Sequence, residues 1–312
     1  MARPVRRAAA ALALTGAAAA AATHVWARHV EIDLFTLREV EADVLPVGVA
    51  PLRVLHISDI HLVPGQDRKL AFLRELASLE PDLVVDTGDN IATAAAIDPL
   101  LRTLEPLLHV PGAFVMGSND MYAPGPKNPL RYFLPDARPE GYTENGPEAE
   151  ELPTERLRAG LSAHGWRDLT NRRDVSELPG LRVRWVGVDD PHLERDEMPA
   201  RSSATADGDD ATPELRIGVA HAPYLRVLDA FVDDGSDLMM AGHTHGGQLR
   251  IPGFGALVTN CDLPRAMARG LSAWRDVPVH VSAGMGASPY SNYRFATFPE
   301  ATLLTLRSRR GR

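Results

Sequence analysis

The chain has a single cysteine, Cys261, among 312 residues. One cysteine excludes an intrachain disulfide and a structural zinc site built from several cysteines, and it is typical of a small buried side chain. Positive charge is also scarce, because 33 Lys and Arg stand against 41 Asp and Glu, for a formal net charge of −8. This balance argues against a general nucleic-acid binder, which needs a basic surface. The sequence shows no internal repeat, and its 45% hydrophobic and 24% charged residues are typical of a globular domain with a substantial core.

Residues 1–30 differ from the rest of the chain. Arg3, Arg6 and Arg7 precede an uncharged stretch at 8–23 made mostly of alanine. This order predicts an export signal or an uncleaved membrane anchor, although the stretch is short and weakly apolar for a membrane span. The alternative is an alanine-rich cytoplasmic helix or an unstructured tail. We therefore expect a membrane-associated or exported protein, with a cytoplasmic one as the alternative.

Apolar, strand-like runs alternate with helical spacing in the first half of the chain. Strands are predicted at 35–45, 52–57, 83–86 and 112–116, and helices at 70–79 and from Asp98 onward, with Pro106 ending or kinking the second helix. Further strands are predicted at 181–188, 215–220, 238–241, 279–282 and 302–306. Several of these lack an intervening helix, which favours an α/β protein with mixed sheets over a purely parallel one.

Two polar stretches interrupt this pattern. Residues 122–151 are rich in proline, glycine and charge, and they begin directly after a candidate site loop, so we expect a lid over a pocket. Residues 194–213 are polar and poor in apolar side chains, which predicts a mobile surface loop.

Four of the strand-like runs are followed at once by side chains that bind metals. The segments are Ser58-Asp59-Ile60-His61, Thr87-Gly88-Asp89-Asn90, Ala220-His221-Ala222 and Gly242-His243-Thr244-His245. Loops at strand ends are where α/β sheets build their sites. Two carboxylates and four imidazoles approach the ligand demand of two adjacent divalent metals, and this donor set suits Mn, Zn or Fe. The pattern predicts a two-metal hydrolase.

Each segment alone has a plainer interpretation. Asp-x-His is common by chance, Gly88-Asp89-Asn90 is typical of a turn, and His221 could begin a helix. The glycine-rich turn with His243 and His245 buries little and caps nothing, so it is harder to dismiss. We expect extended backbone at Asp59 and His61, so that both side chains lean to the same side. The prediction depends on the ordered set.

In this order the segments resemble the calcineurin-like metallophosphoesterases, and in particular a bacterial subgroup with an N-terminal export or anchor segment. The family pattern is Asp-x-His, Gly-Asp, Gly-Asn-His-Asp/Glu, a lone His and Gly-His-x-His. Residues 59–61, 88–89, 117–120, 221 and 242–245 match it, and the resemblance covers 52–306. It implies a four-layer sandwich of two mixed β-sheets flanked by helices, within a domain that we place at 31–312.

The resemblance also implies roles for individual residues. One metal would be held by Asp59, His61, Asp89 and His245, and the other by Asp89, His221, His243 and a residue of the third motif. The implied reaction is hydrolysis of a phosphate monoester, diester or pyrophosphate, with metal-bound hydroxide attacking phosphorus. The expected partner is a phosphorylated small molecule or a lipid-linked substrate at a membrane, and no nucleic acid is expected.

The third motif departs from the family, because Gly117-Ser118-Asn119-Asp120 lacks its histidine. Aligned without a gap, Ser118 replaces the usual asparagine ligand and Asn119 the histidine. Shifted by one, Asn119 is the ligand and Asp120 replaces the histidine. We favour Asn119 as the ligand because an amide oxygen is the better donor. The histidine's catalytic role passes to Asp120 with Asn119, to His192, or to water.

Other residues are candidates for supporting roles. Asp190 is expected to orient a ligating histidine, although a simple turn is an equal alternative. Lys127, Arg131 and Arg294 are candidates to pair with substrate phosphate, against the plainer interpretation of surface charges. The altered third motif leaves a metal-binding protein with a degraded site as the alternative function. A different metal hydrolase, such as an amidase, would use the same ligands.

Overall fold

The computed structural model describes residues 2–125, 149–201 and 212–309, with side chains from residue 11 onward. The helices are α1 (Ala2–His29), α2 (Asp67–Glu75), α3 (Ile97–Leu108), α4 (Ser118–Met121), α5 (Thr154–Ser162) and α6 (Leu225–Asp233). The strands of the first half are β1 (Thr36–Leu45), β2 (Leu52–Ile57), β3 (Leu83–Asp86), β4 (Gly112–Phe114), β5 (Arg167–Asp168) and β6 (Arg172–Leu178). Those of the second half are β7 (Leu181–Gly187), β8 (Glu214–Val219), β9 (Leu238–Ala241), β10 (Arg250–Ile251), β11 (Gly255–Ala256), β12 (Gly270–Trp274), β13 (Val277–Val281) and β14 (Glu300–Ser308).

Twelve strands form two mixed sheets. The first has the order β1-β14-β2-β3-β4-β5, and the second has the order β12-β13-β9-β8-β7-β6. In the first sheet β2, β3, β4 and β5 run parallel, while β14 is antiparallel to β2. In the second, β7, β8, β9 and β13 run parallel and the edge strands β6 and β12 are antiparallel. The predicted pair of mixed sheets is confirmed.

The sheets pack face to face, and helices cover their outer faces. Between the sheets, Val54 and Val85 of the first pack in one cluster with Ile217 and Met240 of the second. On the outer face of the first sheet, a cluster joins Leu55 to Leu73 of α2, Leu104 of α3 and Leu161 of α5. On the outer face of the second sheet, Phe231 of α6 packs with Val279. Burying each such side chain stabilises the fold by about 1.5–3 kcal/mol. The arrangement is the predicted four-layer sandwich.

Strand β2 shows why these runs carry little polar alternation. Val54 faces the second sheet while Leu55 and Ile57 face the helices, because successive side chains of a strand point to opposite faces. Both faces are mostly buried, so four of its six residues are apolar. Arg53 and His56 are the exceptions, and His56 points between the sheets.

Several elements differ from the sequence-based expectation. Strands β6 and β12 and helices α5 and α6 were not predicted. Strand β6 carries mostly polar residues, and β12, α5 and α6 are short segments of five, nine and nine residues. Pro106 lies inside α3, which ends two residues later at Leu108. Most of the predicted lid (126–148) and part of the predicted mobile loop (202–211) lie outside the described residues.

Helix α1 meets the body of the protein at its last turn. The Arg28 guanidinium donates to the Asn292 carbonyl (2.8 Å), and the indole of Trp26 donates to Glu31 (2.7 Å). Ala27 is buried there. Among the helices described, none combines the length and the apolar character needed to cross a bilayer.

Candidate metal centre

The predicted ligands converge where the carboxyl ends of six strands meet. Loops after β2, β3 and β4 of the first sheet and after β7, β8 and β9 of the second all reach this edge of the sandwich. Asp59 and His61 follow β2, Asp89 follows β3 and His221 follows β8. Parallel neighbours bring their carboxyl ends together, so residues far apart in sequence come within contact distance.

Two trios of side chains present their donor atoms within 4.8 Å of one another: Asp59, His61 and His245, and Asp59, Asp89 and His221. The Oδ2 atom of Asp89 lies 3.3 Å from Nε2 of His61 and 3.5 Å from Nε2 of His221, so its carboxylate contacts one histidine of each trio, while Asp59 belongs to both. Nε2 of His245 lies 3.8 Å from Oδ1 of Asp59. Five of the seven predicted ligands therefore share one cluster.

The other two predicted ligands border this cluster. The ring of His243 lies 5.2 Å from that of His221, and its Nε2 is 3.1 Å from the Asn260 carbonyl. The amide Nδ2 of Asn119 donates to Oδ2 of Asp89 (2.7 Å), and the Asn119 backbone N–H donates to Oδ1 (2.8 Å). Ser118 is fully buried, whereas Asn119 faces the adjoining cavity.

The backbone at the ligands is not extended, which corrects our expectation for Asp59 and His61. Both have positive φ (48° and 44°), as do Asp89 (57°), His243 (67°) and His245 (48°). Residues other than glycine rarely adopt this left-handed backbone conformation, and each one costs about 1–3 kcal/mol of folding free energy. Backbone hydrogen bonds from Asp59 N to Gly88 O (2.8 Å) and from His61 N to Asp89 O (2.9 Å) hold the strained loops together. Asp59 and His61 nonetheless lean toward a common point.

Two glycines make room for this packing. A Cβ on Gly242 would collide with Ser58 Oγ, and one on Gly117 would collide with Oδ1 of Asp89. The glycines of the Gly-His-x-His and third motifs are thus required by the close approach of the loops.

Burial and neighbouring charges shift the pKa values of the donor side chains. Burial lowers the pKa of His61 to about 4, and it lowers that of His245 well below its usual value, so both rings are neutral and have lone pairs for a metal. Burial acts in the same sense on His221, but the Asp89 carboxylate overcomes it and raises the pKa of His221 well above its usual value. Burial would raise the pKa of Asp89, yet His221 and His61 hold it far below its usual range.

The cluster has the unsatisfied atoms expected of a metal site. Both ring nitrogens of His61, Nε2 of His221 and Nδ1 of His245 are buried and have no hydrogen-bond partner among the described atoms. Buried polar atoms without partners are rare in proteins, and a metal ion would satisfy the lone-pair nitrogen of each ring. Nδ1 of His221 is 2.7 Å from the Thr87 carbonyl, which fixes the ring with Nε2 toward Asp89. The donor set thus fits divalent metal ions.

A chain of buried hydrogen bonds leads away from Asp59. Oδ2 of Asp59 accepts from Ser58 Oγ (2.5 Å), which accepts from Thr87 Oγ1 (2.6 Å). Thr87 Oγ1 lies 3.0 Å from Nε2 of His56, whose Nδ1 lies 2.8 Å from Nδ1 of His280. The chain runs from the second sheet to the metal cluster.

Asp120 lies beneath the loops. Its carboxylate accepts backbone N–H groups of Asp89 (2.8 Å), Asn90 (2.7 Å), Ile91 (3.3 Å) and Gly117 (3.0 Å). Burial and the nearby Asp89 raise the pKa of Asp120 to about 7, while the four donors favour its carboxylate form. Asp120 joins the second and third motif loops, and the catalytic role predicted for it stays a prediction.

Asp190 and His192 border the cluster from the second sheet. Oδ1 of Asp190 accepts the backbone N–H of His192 (2.8 Å), so the turn interpretation describes its contacts. The Thr87 carbonyl, rather than Asp190, forms the hydrogen bond that orients His221. The ring of His192 lies 4.6 Å from that of His243, and its Nδ1 is 2.9 Å from the Tyr224 hydroxyl.

A cavity of about 180 Å³ opens beside the donors, and His61, Asp89, Asn119, His243 and His245 line it. Its opposite wall includes Leu249, Leu257, Val258 and Tyr293. No lysine or arginine lines it among the residues that the structure describes. The metal cluster therefore faces a partly apolar space.

Sequence reasoning missed the loop after β13. Its Met285 and Gly286 N–H groups donate to the carbonyls of Ser58 (3.1 Å) and Asp59 (2.6 Å) and fasten the first ligand loop. A run of small residues directly after a predicted strand was the available signal. Arg294, a candidate phosphate partner, is buried and donates to carbonyls of the same loop, whereas Lys127 and Arg131 lie outside the described residues.

A two-sheet α/β sandwich with a buried histidine and aspartate cluster at its strand ends defines a metal-dependent hydrolase. The family model for calcineurin-like phosphoesterase matches residues 52–247, and the chain belongs to this family. The resemblance found in the motifs is thereby confirmed, and the protein is a phosphoric ester hydrolase.

Several characterised and uncharacterised proteins are similar to the chain over most of their length. "Uncharacterized protein YpbG" of Bacillus subtilis is 28% identical over 78% of this chain and 79% of its own. "Phosphodiesterase YaeI" of Escherichia coli is 26% identical, with 83% of both chains covered. "UDP-2,3-diacylglucosamine pyrophosphatase LpxG" of Chlamydia trachomatis is 26% identical over 92% of this chain and 94% of its own. Among solved structures, a dimetal phosphatase from Danio rerio aligns with a TM-score of 0.40 and 12% identity, over 78% of this chain and 90% of its own.

Proposed function

We propose that the chain hydrolyses a phosphodiester or pyrophosphate whose phosphorus carries an apolar substituent, with two divalent metal ions in the Asp/His cluster. The observation that carries the proposal is the position of Asp89, whose carboxylate contacts histidines of both donor trios at the wall of a partly apolar cavity. One trio alone would serve one metal ion. A carboxylate that contacts a histidine of each trio is suited to bridge two metal ions.

The ligand assignment follows the two groups of donors. Asp59, His61 and His245 form one group and would hold one ion, and His221 belongs to the group that would hold the other. His243 and Asn119, which border His221 and Asp89, would complete the second site, and Asp89 would contribute to both. When bound, the pair of ions would activate water and stabilise negative charge on the phosphoryl oxygens. Mn, Zn and Fe all accept such a nitrogen and oxygen donor set.

Asn119 is better placed than Ser118 to coordinate the second metal ion. The Asn119 side chain already contacts Oδ2 of Asp89, and it lines the cavity. A rotation of its amide would turn Oδ1 toward the same point, because amide O and N positions exchange by a simple flip. Ser118 is fully buried beneath it.

The proton for the leaving group has a candidate donor in His192 rather than in Asp120. Four backbone N–H groups engage the Asp120 carboxylate. His192 packs against His243 at the edge of the cluster, and the Tyr224 hydroxyl fixes its ring. An imidazole ring can give and accept a proton, so its position here suits a general acid.

The cavity favours a diester over a monoester. A monoester dianion would gain from a cationic side chain beside its terminal oxygens, and the described cavity lining offers none. Leu249, Leu257 and Val258 instead provide a surface for an apolar substituent. The printed names of two relatives, a phosphodiesterase and a pyrophosphatase of a diacylated sugar nucleotide, agree with such a substrate.

A test compares aryl phosphodiester and aryl phosphomonoester turnover by the purified full chain as Mn is added. We expect diester hydrolysis to require metal and to exceed monoester hydrolysis. A preference for the monoester would contradict the substrate proposal but not the metal site. Metal uptake without turnover of any ester would favour the alternative, a metal-binding protein with a degraded site.

We also propose that residues 1–30 direct the chain to the membrane or out of the cytoplasm, as their charge and alanine pattern predicts. Fractionation of cells that express the full chain and a variant with Arg3, Arg6 and Arg7 replaced by glutamine would test this. Equal cytoplasmic recovery of both would contradict it.

A further inference from the structure

A second cavity, of about 510 Å³, lies behind the metal centre. The segment after α1, the start of α2 and the segment 285–294 line it. Two cationic side chains in its wall, Lys69 and Arg294, are only 5% and 1% exposed. The acidic residues that line it, Asp33 and Asp67, are exposed instead. Positive charge is therefore concentrated at the buried part of the cavity.

Neither buried cation forms a salt bridge with a described residue, although Asp33 acts on the charge of Lys69, and Asp59, Glu300 and Glu31 act on that of Arg294. Lys69 Nζ donates one hydrogen bond, to the Ile60 carbonyl (2.6 Å), although an ammonium group has three N–H donors. Arg294 donates from Nη1 and Nη2 to backbone carbonyls. Lys69 thus keeps N–H donors that a ligand could use, beside the charged guanidinium of Arg294.

Two buried like charges that form no salt bridge are only partly compensated by carboxylates farther away. Burying an ion without compensation costs several kcal/mol, and buried charges in proteins are therefore normally paired. Burial and the nearby Arg294 lower the pKa of Lys69 to about 7, which reflects this cost. The chain has only two lysines, Lys69 and Lys127, among its 33 basic residues, so a lysine here departs from its general use of arginine.

We propose that this cavity binds a small oxyanion, of the sulfate or phosphate type, at Lys69 Nζ beside the Arg294 guanidinium. The anion adds a negative charge next to the two cations and accepts the remaining N–H donors of Lys69. The cavity is open to solvent and large enough for a tetrahedral oxyanion. This site is separate from the donors that would hold metal.

The oxyanion site is coupled to the metal loop. Lys69 holds the carbonyl of Ile60, which lies between Asp59 and His61, and Gly286 in the cavity wall donates to the Asp59 carbonyl (2.6 Å). The positive charges of Lys69 and Arg294 lie beside this loop and repel a cation bound to it. An anion that offsets these charges favours a cation at the ligands, and coupling of this kind is reciprocal.

Thermal unfolding of the chelator-treated full chain in sulfate, against chloride at equal ionic strength, tests the site. Sulfate at about one hundred times its Kd should raise the unfolding midpoint by several degrees. Lys69→Met should lose most of this rise, because it keeps the side-chain length and removes the donor. Arg102→Met removes one positive charge from an exposed position on α3 and should keep the full rise.

Isothermal titration supplies a second measurement that does not depend on the melting behaviour of the variant. The wild-type chain should bind sulfate at least about tenfold more tightly than Lys69→Met, a difference of about 1.4 kcal/mol. Mn should bind the wild type more tightly in sulfate than in chloride, and Lys69→Met should show no such difference. Equal sulfate affinity in wild type and variant, or no sulfate binding by the wild type, would overturn the proposal.

Discussion

The Nδ1 atoms of His56 and His280 lie 2.8 Å apart, and both side chains are fully buried between the two sheets. Their hydrogen bonds continue through Thr87 and Ser58 to the carboxylate of Asp59. A carboxylate only accepts hydrogen bonds, so every group of the chain must donate toward Asp59. His56 therefore carries its proton on Nε2 and His280 carries its proton on Nδ1. Burial lowers the pKa of both rings, which agrees with a neutral pair.

Interrupting this series of hydrogen bonds should weaken metal binding although no metal ligand is changed. In His56→Leu, Thr87 loses its donor and Asp59 is held less firmly, so we expect metal affinity to fall about tenfold to a hundredfold. Titration of the apo-protein with Mn measures this. Thr302→Val is the matched control, since Thr302 is buried opposite His56 on β14 but takes no part in this series of hydrogen bonds. Unchanged affinity in His56→Leu would show that the chain does not position Asp59.

The ligand motifs could be predicted from the sequence because each follows a strand that is buried on both faces. Strand β3 is continuously buried, and Asp89 comes three residues after it ends. The same reasoning could not predict the series of hydrogen bonds that begins at His280. Strands β13 and β2 belong to different sheets, and no local sequence pattern indicates that they lie close together. The left-handed backbone at Asp59 and His61 was equally hidden, since it is imposed by the loops packed against them.

Asp89→Ala should abolish binding of both metals, because the carboxylate that links the two donor trios is lost. Turnover should vanish with it. Metal content by mass spectrometry after dialysis is the measurement. Asp86→Asn is a matched control, as Asp86 is also fully buried at the end of β3, and it should keep both metals. Retention of two metals in Asp89→Ala would contradict the bridging role.

Asn119→Ala should lose one of the two metals, while Ser118→Ala should keep both. The reason is that the Asn119 amide lies 2.7 Å from Oδ2 of Asp89, whereas Ser118 is buried below the cavity. Metal stoichiometry of the two variants decides between the two alignments of the third motif. Loss of a metal in Ser118→Ala alone would favour the ungapped alignment, with Ser118 as the ligand.

Asp86 should make the stability of the metal-free protein fall as pH rises. Burial raises the pKa of Asp86 to about 8 from an unfolded value near 3.8, so the folded chain binds more protons between these two pH values. The free energy of unfolding therefore decreases from about pH 4 to pH 8, by at most about 1.4 kcal/mol per pH unit from this group.

Asp86→Asn should remove this contribution, because an amide imitates the protonated carboxyl group at every pH. Urea unfolding at several pH values from 4 to 8 measures the slopes. We expect the variant to gain stability relative to wild type as pH rises. Parallel curves for the two proteins would mean that Asp86 does not titrate across this range in the folded state.

How the cavity would select its substrate was also beyond the sequence, because its apolar wall comes from a segment that carried no motif. Leu249, Leu257 and Val258 belong to the region around the short hairpin of β10 and β11, which adjoins the metal cluster at the turn 245–247 and at the contact of Asn260 with His243. Arg294 illustrates the converse. Its type suggested a phosphate partner, but its surroundings place it in the wall of the second cavity.

Leu257→Ser should raise KM for a diester with large apolar substituents about tenfold, since one lost apolar contact is worth about 1–3 kcal/mol. For a methyl-substituted diester the change should be small, because a methyl group cannot reach the wall. Leu271→Ser, at an exposed position on β12, controls for the loss of a leucine elsewhere. The ratio of kcat/KM for the two diesters is the measurement. An equal loss for both substrates would show that Leu257 shapes the site without contacting the apolar substituent.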